Sequence, residues 1–290
     1  MNIKSINDPR ELLAKDNPQS HYEFDNFIKI ESWRERSRSK KKLNLLKTID
    51  PVISKILDDD EQVYYLTKGL KVTKIDYLFI GWAAHYYNLF CFVFTTKRVL
   101  LVHLTRGTTL GKYVCEINYE NLIKIYGFWR LKVKLKNGKS LSFAKVPAYD
   151  RKFIVEFIKS ILPEESSKDK TLPGIKNLCP SCYAHVVGYP ANCASCNAAF
   201  KTPRKAALLS FIMPGLGDLY LGSKFLGTFE LLVMLFIWAT FVIGAIGEAS
   251  SGGNLAAILT PLIITLLFMH SLDALKSSYI ARKGIALSYL

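Results

Sequence analysis

Hydrophobic residues change their period along this chain, and each change predicts a different kind of structure. Residues 1–40 are polar and weakly periodic, and a short helix is expected from about 41 to 57, with Asp50-Pro51 as a break or a fresh start. From about 62 to 146, short runs rich in β-branched and aromatic residues predict strands, at 63–66, 89–94 and 99–102. Leu131, Val133 and Leu135 alternate with Lys132 and Lys134, Asn137-Gly138 follows, and Leu141 and Phe143 resume the alternation. That pattern is a hairpin with one buried face, its Asn-Gly supplying the positive φ angles of a type I′ turn. Past Pro147 the period becomes helical through Phe153, Ile154, Phe157, Ile158, Ile161 and Leu162, and Pro163 ends it. A charged, Ser-rich linker is expected over 163–178.

One antiparallel β unit followed by one helix suits a barrel or roll whose open end is covered by its C-terminal helix. The run Phe94-Thr95-Thr96-Lys97-Arg98-Val99-Leu100-Leu101-Val102, with that closing helix, resembles bacterial pleckstrin-homology-like domains, many of which place a Thr-x-x-Arg turn between two central strands. The resemblance covers about 55–162 and implies a PH-like fold, after an N-terminal segment over 1–54. Another small barrel or roll with a covering helix is the alternative.

Four of the six cysteines fall in two pairs, Cys179-Pro180-Ser181-Cys182 and, after ten residues, Cys193-Ala194-Ser195-Cys196. Each Cys-x-x-Cys presents two thiolates from one tight turn, and zinc takes four such ligands tetrahedrally. We therefore expect a structural zinc ribbon over 179–200, with Zn2+ on Cys179, Cys182, Cys193 and Cys196. Four protein ligands leave no position open for catalysis. Ribbon knuckles usually carry Gly after the second Cys; here Tyr183 and Asn197 stand there. A redox pair would open a helix in a βαβ setting, which the flanking sequence does not suggest. His185 in the intervening loop is read as a surface residue.

Beyond residue 205, Lys and Arg become sparse. The 23 residues of 225–247 contain one charge, Glu230, and span about 34 Å as a helix, enough to cross a bilayer. A second apolar run covers 255–272, with a short turn free of Lys and Arg between the two. Basic residues flank the pair on both sides, so the positive-inside rule puts both termini in the cytoplasm. The preceding run, 206–221, is broken by Pro214 and Gly215 and is expected to be an interfacial or re-entrant helix. The segment Pro214-Gly215-Leu216-Gly217-Asp218-Leu219-Tyr220-Leu221-Gly222, with Asp273 late in the second span, resembles small bacterial membrane domains of two transmembrane helices, over about 204–284. Where their better-known subgroup has Asp-Arg-Phe, this chain has Asp218-Leu219-Tyr220. Asp218, Glu230 and Asp273 form a polar layer in this region, read either as an ion or proton site or as snorkelling pairs that fix helix register.

The formal net charge is +15, and much of it is local: Arg34, Arg36, Arg38, Lys40, Lys41, Lys42 and Lys47 lie against Glu35 alone. Beside a membrane, that stretch is a candidate site for anionic lipid. The N-terminus shows no apolar signal-peptide core. The histidines are scattered, and neither a phosphate-binding Gly loop nor a nucleophile elbow is present, so no enzyme is expected. The sequence thus predicts a non-catalytic adaptor or regulator in a bacterial cytoplasmic membrane, bound to lipid and to a protein partner rather than to nucleic acid. An anionic-lipid sensor and an ion- or solute-conducting homo-oligomer are the alternatives.

Overall fold

A computed structural model describes residues 21–26, 32–73, 75–76, 87–105, 107–162, 174–252 and 254–288. They fall into two units, Met1–Leu178 and Cys179–Leu290. The expected polar start of the chain over 1–20 and most of the linker, 163–173, lie outside the described residues.

The first unit is built on an antiparallel sheet. Its strands are β1 (Val63–Lys71), β2 (Leu89–Thr95), β3 (Arg98–Leu104), β4 (Leu110–Asn118), β5 (Leu122–Tyr126), β6 (Leu131–Leu135), β7 (Ser140–Ala144) and β8 (Lys176–Leu178). They lie in the order β5-β6-β7-β1-β2-β3-β4-β8. The predicted strands are all present, and the end of the expected linker is itself a strand, β8, paired with β4. Tyr65, Leu66, Phe92, Phe94, Leu100 and Phe143 are buried at the centre. The predicted hairpin pairs Leu131 with Phe143 and Val133 with Leu141. Its turn is not type I′. Gly138 alone has a positive φ, 84°, while Asn137 keeps an ordinary one, and the Gly138 N–H donates to the Leu135 carbonyl. A tight turn ending in one left-handed glycine meets the twist of the strands equally well.

Helix α1 (Trp33–Ile53) starts well before the expected position near residue 41. The cause is a capping box: the Glu35 N–H donates to Ser32 Oγ, and the Ser32 N–H donates to the Glu35 carboxylate. Pro51 lies inside its last turn. Leu46, Ile49 and Ile53 are fully buried, and α1 lies within the unit Met1–Leu178. Helix α2 (Ala148–Ile161) follows the sheet as predicted. The Thr-x-x-Arg turn joins β2 to β3: the Lys97 and Arg98 amides donate to Thr95 Oγ, which donates in turn to Glu61. The Arg98 guanidinium bridges buried Glu61 and Glu116, at 2.7 and 2.8 Å, so this arginine closes the fold.

The second unit holds strand β9 (His185–Val186) and helices α3 (Pro203–Ile212), α4 (Leu216–Tyr220), α5 (Lys224–Ser250) and α6 (Leu255–Ala281). Helices α5 and α6 are long and apolar enough to cross a membrane. Little of the apolar surface of either helix is buried within the chain. The apolar run over 206–221 is broken into α3 and α4, as Pro214 and Gly215 predicted. Gly215 has φ 92°, and any Cβ there would meet the Gly227 carbonyl at 2.4 Å.

Candidate metal centre and polar cluster of the helical unit

Each Cys-x-x-Cys forms the same knuckle. Tyr183 N–H donates to the Cys179 carbonyl and Asn197 N–H to the Cys193 carbonyl, and both turns then close through Cys179 N–H to Ala184 and Cys193 N–H to Ala198. The residue after each second cysteine must be left-handed; Tyr183 and Asn197 have φ 58° and 57°. The four Sγ atoms lie within 4.8 Å of one another. Cys179 and Cys196 approach to 3.7 Å, as do Cys182 and Cys193. Tetrahedral bonds of about 2.3 Å would space sulfurs roughly 3.8 Å apart, so the donor set fits one thiolate-bound metal ion. The Cys196 and Ser195 amides point at the Cys193 sulfur and hold its thiol below the ordinary range, while burial and the neighbouring sulfurs push Cys179 and Cys182 up. His185 is exposed and is not among these ligands.

Behind the knuckles lies a small apolar core that reading the sequence did not find. Cys179, Val186, Cys193 and Phe200 pack with Ile285 and Leu287, from the segment that follows α6. Lys201 N–H donates to the Ala286 carbonyl and Ser288 N–H to the Ala199 carbonyl, each near 2.9 and 2.8 Å, and Tyr189 OH donates to the Arg282 carbonyl. The short segment 285–288 has no helical or alternating run long enough to announce this role.

Asp218, Glu230 and Asp273 converge, as their presumed depth suggested. They meet around Lys276, whose ammonium lies 2.8 Å from Asp218 and 2.6 Å from Asp273 and also bonds Glu230. Asp218 is fully buried, and Asp273 and Lys276 nearly so. Asp218 comes from α4, Glu230 from α5, and Asp273 and Lys276 from α6, so one ammonium ties three helices. The same face of α6 fastens the broken segment at successive turns. His270 Nδ1 is 2.6 Å from the Phe211 carbonyl, Asp273 accepts from Gly215 N–H, and Ser277 Oγ lies 2.7 Å from Ser210 Oγ. Gly217 permits this approach, since a Cβ would sit 2.2 Å from Ser210 Oγ. Ser210 and Ser277 were missed. Polar residues at 270, 273 and 277, at helical spacing in an apolar run, were the available signal.

Of the proposed lipid-binding residues, Arg34, Arg36, Arg38, Lys40 and Lys41 are exposed on α1. At about 100° per residue Arg34, Arg36, Lys40 and Lys41 fall on the half of the helix turned away from Ser39, Leu46, Ile49 and Ile53, whereas Arg38 lies toward the buried side, its guanidinium 5.6 Å from the Tyr149 ring centre. Lys42 does not join them. It turns inward to Asp150, at 3.2 Å, where Tyr65 and Thr67 also donate. Searches against protein-family models, curated proteins and solved structures return no match to this chain.

Proposed function

We propose that this protein is a non-catalytic adaptor anchored in a bacterial cytoplasmic membrane. In this reading α5 and α6 cross the bilayer, the cysteine site holds one structural Zn2+, and the PH-like β unit and the ribbon meet a protein partner on the cytoplasmic side. The observation that carries it is the closure of the ribbon core by Ile285 and Leu287. A four-thiolate metal has no free coordination position and therefore holds rather than reacts. Here it would hold a platform joined to the helical anchor at both ends. Its loop carries Val187, 93% exposed, on a part of the ribbon stiffened by the knuckles.

A photo-crosslinking residue at Val187 in the full chain tests this in living cells. A discrete protein adduct is expected, and it should vanish when Cys193→Ser removes a ligand. No adduct from a chain that fractionates with the membrane would sink the adaptor reading. A second reading, an anionic-lipid-responsive module, is supported by Arg34, Arg36, Lys40 and Lys41, exposed on the outer side of α1.

A further inference from the structure

Between Glu120 and Asp150 the chain carries seven basic residues and no acidic one. The first unit folds that stretch into β5, β6 and β7, and the strand register sorts its charges onto one face. Lys124 pairs with Lys134 and Tyr126 with Lys132, and residues paired across an antiparallel ladder share a side. Leu122, Ile125, Leu131, Val133 and Leu135 fill the other side and are buried. On the outer side the ammonium groups of Lys124, Lys132 and Lys134 lie 5.3, 6.0 and 5.9 Å from the Tyr126 ring centre. Like charges crowded in this way repel, so a stable ladder of this kind needs an anionic neighbour or abundant water.

The turn at the end of this face is not a water-seeking loop. Gly127, Phe128, Trp129 and Arg130 join β5 to β6, and the two aromatic rings stand 81% and 82% exposed, packed edge to face on each other 5.4 Å apart. The neck of the turn is closed: a Cβ on Gly127 would lie 1.9 Å from the Arg130 carbonyl oxygen. The two large rings are therefore held outward by a tight turn, with Arg130 beside them and the lysine ladder behind. Trp and Phe partition into the region between headgroups and acyl chains, while Lys and Arg are drawn to acidic headgroups.

We propose that the β5–β6 hairpin is a membrane-contact finger: Phe128 and Trp129 enter the interface of an anionic bilayer, and Lys124, Arg130, Lys132 and Lys134 bind its headgroups. This rests on the reading that α5 and α6 anchor the chain, which places the finger beside a lipid surface at high effective concentration. It is a different surface from α1, built from a different pairing of residues. Nucleic acid offers the same charge and stackable rings, but the finger belongs to a chain with two long exposed apolar helices, which favours lipid.

The full chain, reconstituted into vesicles with and without phosphatidylglycerol, tests the proposal. Flotation reports anchorage, and the difference between the wild type and Trp129→Phe in quenching by brominated lipid reports the finger. The expected result is flotation in both vesicles with Trp129 quenched only in the anionic ones, the quenching being lost in high salt. Changing Lys124, Lys132 and Lys134 to Gln, all exposed positions, should reduce that quenching to its zwitterionic level. Flotation with Trp129 equally open to acrylamide in both vesicles would overturn the finger and leave the anchor standing. Flotation only with anionic lipid would refute the anchor and keep the finger; flotation in neither would refute both. Shielding of Trp129 by an added single-stranded oligonucleotide, but not by anionic lipid, would assign the face to nucleic acid instead.

Discussion

Lys276 is one amine facing Asp218, Glu230 and Asp273, and its removal leaves buried carboxylates with no counter-charge. Breaking a buried ion pair in this way costs on the order of 3–5 kcal/mol. Lys276→Met should therefore lower the thermal midpoint of the detergent-solubilised chain sharply. Adding Asp218→Asn and Glu230→Gln to that variant should recover part of the loss, because fewer charges then lack a partner. A single variant as stable as the wild type would mean the four groups do not interact in the folded protein. At this scale the sequence was readable wherever chemistry is local. Cys179, Cys182, Cys193 and Cys196 announce themselves by spacing, and the left-handed turns at Tyr183 and Asn197 follow from the knuckle. Lys42 was not readable. It sits in a basic run, and its partner Asp150 lies far along the chain, so only tertiary packing turns it inward.

The elements were legible in kind and less so in extent. Strand alternation predicts the 131–143 hairpin, whereas the start of α1 is set by the Ser32–Glu35 capping box within a polar run that shows no helical period. The two-residue β9 is too short for any periodic test, and the return segment after α6 escapes one because pairing with distant backbone is what orders it. That pairing makes a prediction about the metal. The purified full chain should contain about one zinc ion, and stripping it with a chelator should expose the return segment as well as the knuckles. Amide hydrogen exchange at 285–288 should then speed up together with exchange at 179–200, while the middle of α5 keeps its protection. Exchange at 285–288 that ignores the metal would show the segment to be held by backbone pairing alone.

Over the whole molecule, charge and helix length predict a direction. Basic clusters flank the α5–α6 pair, and the turn at 251–254 carries none. Cysteine placed at Ser251 should react with an impermeant reagent added to intact cells, and cysteine at Ser288 should react only after lysis. The reverse pattern would invert the orientation. The closure of the cysteine-knuckle core by residues that follow α6 also sets an order of events in biosynthesis. The four cysteines leave the ribosome before either long helix does, but Ile285 and Leu287 emerge only after both. Until then the half-made knuckle core exposes Phe200 and lacks its last strand partner. Completion of this core therefore reports that both long helices have been fully made. A nascent chain arrested before residue 285 should show cysteines that alkylate faster than those of the finished protein.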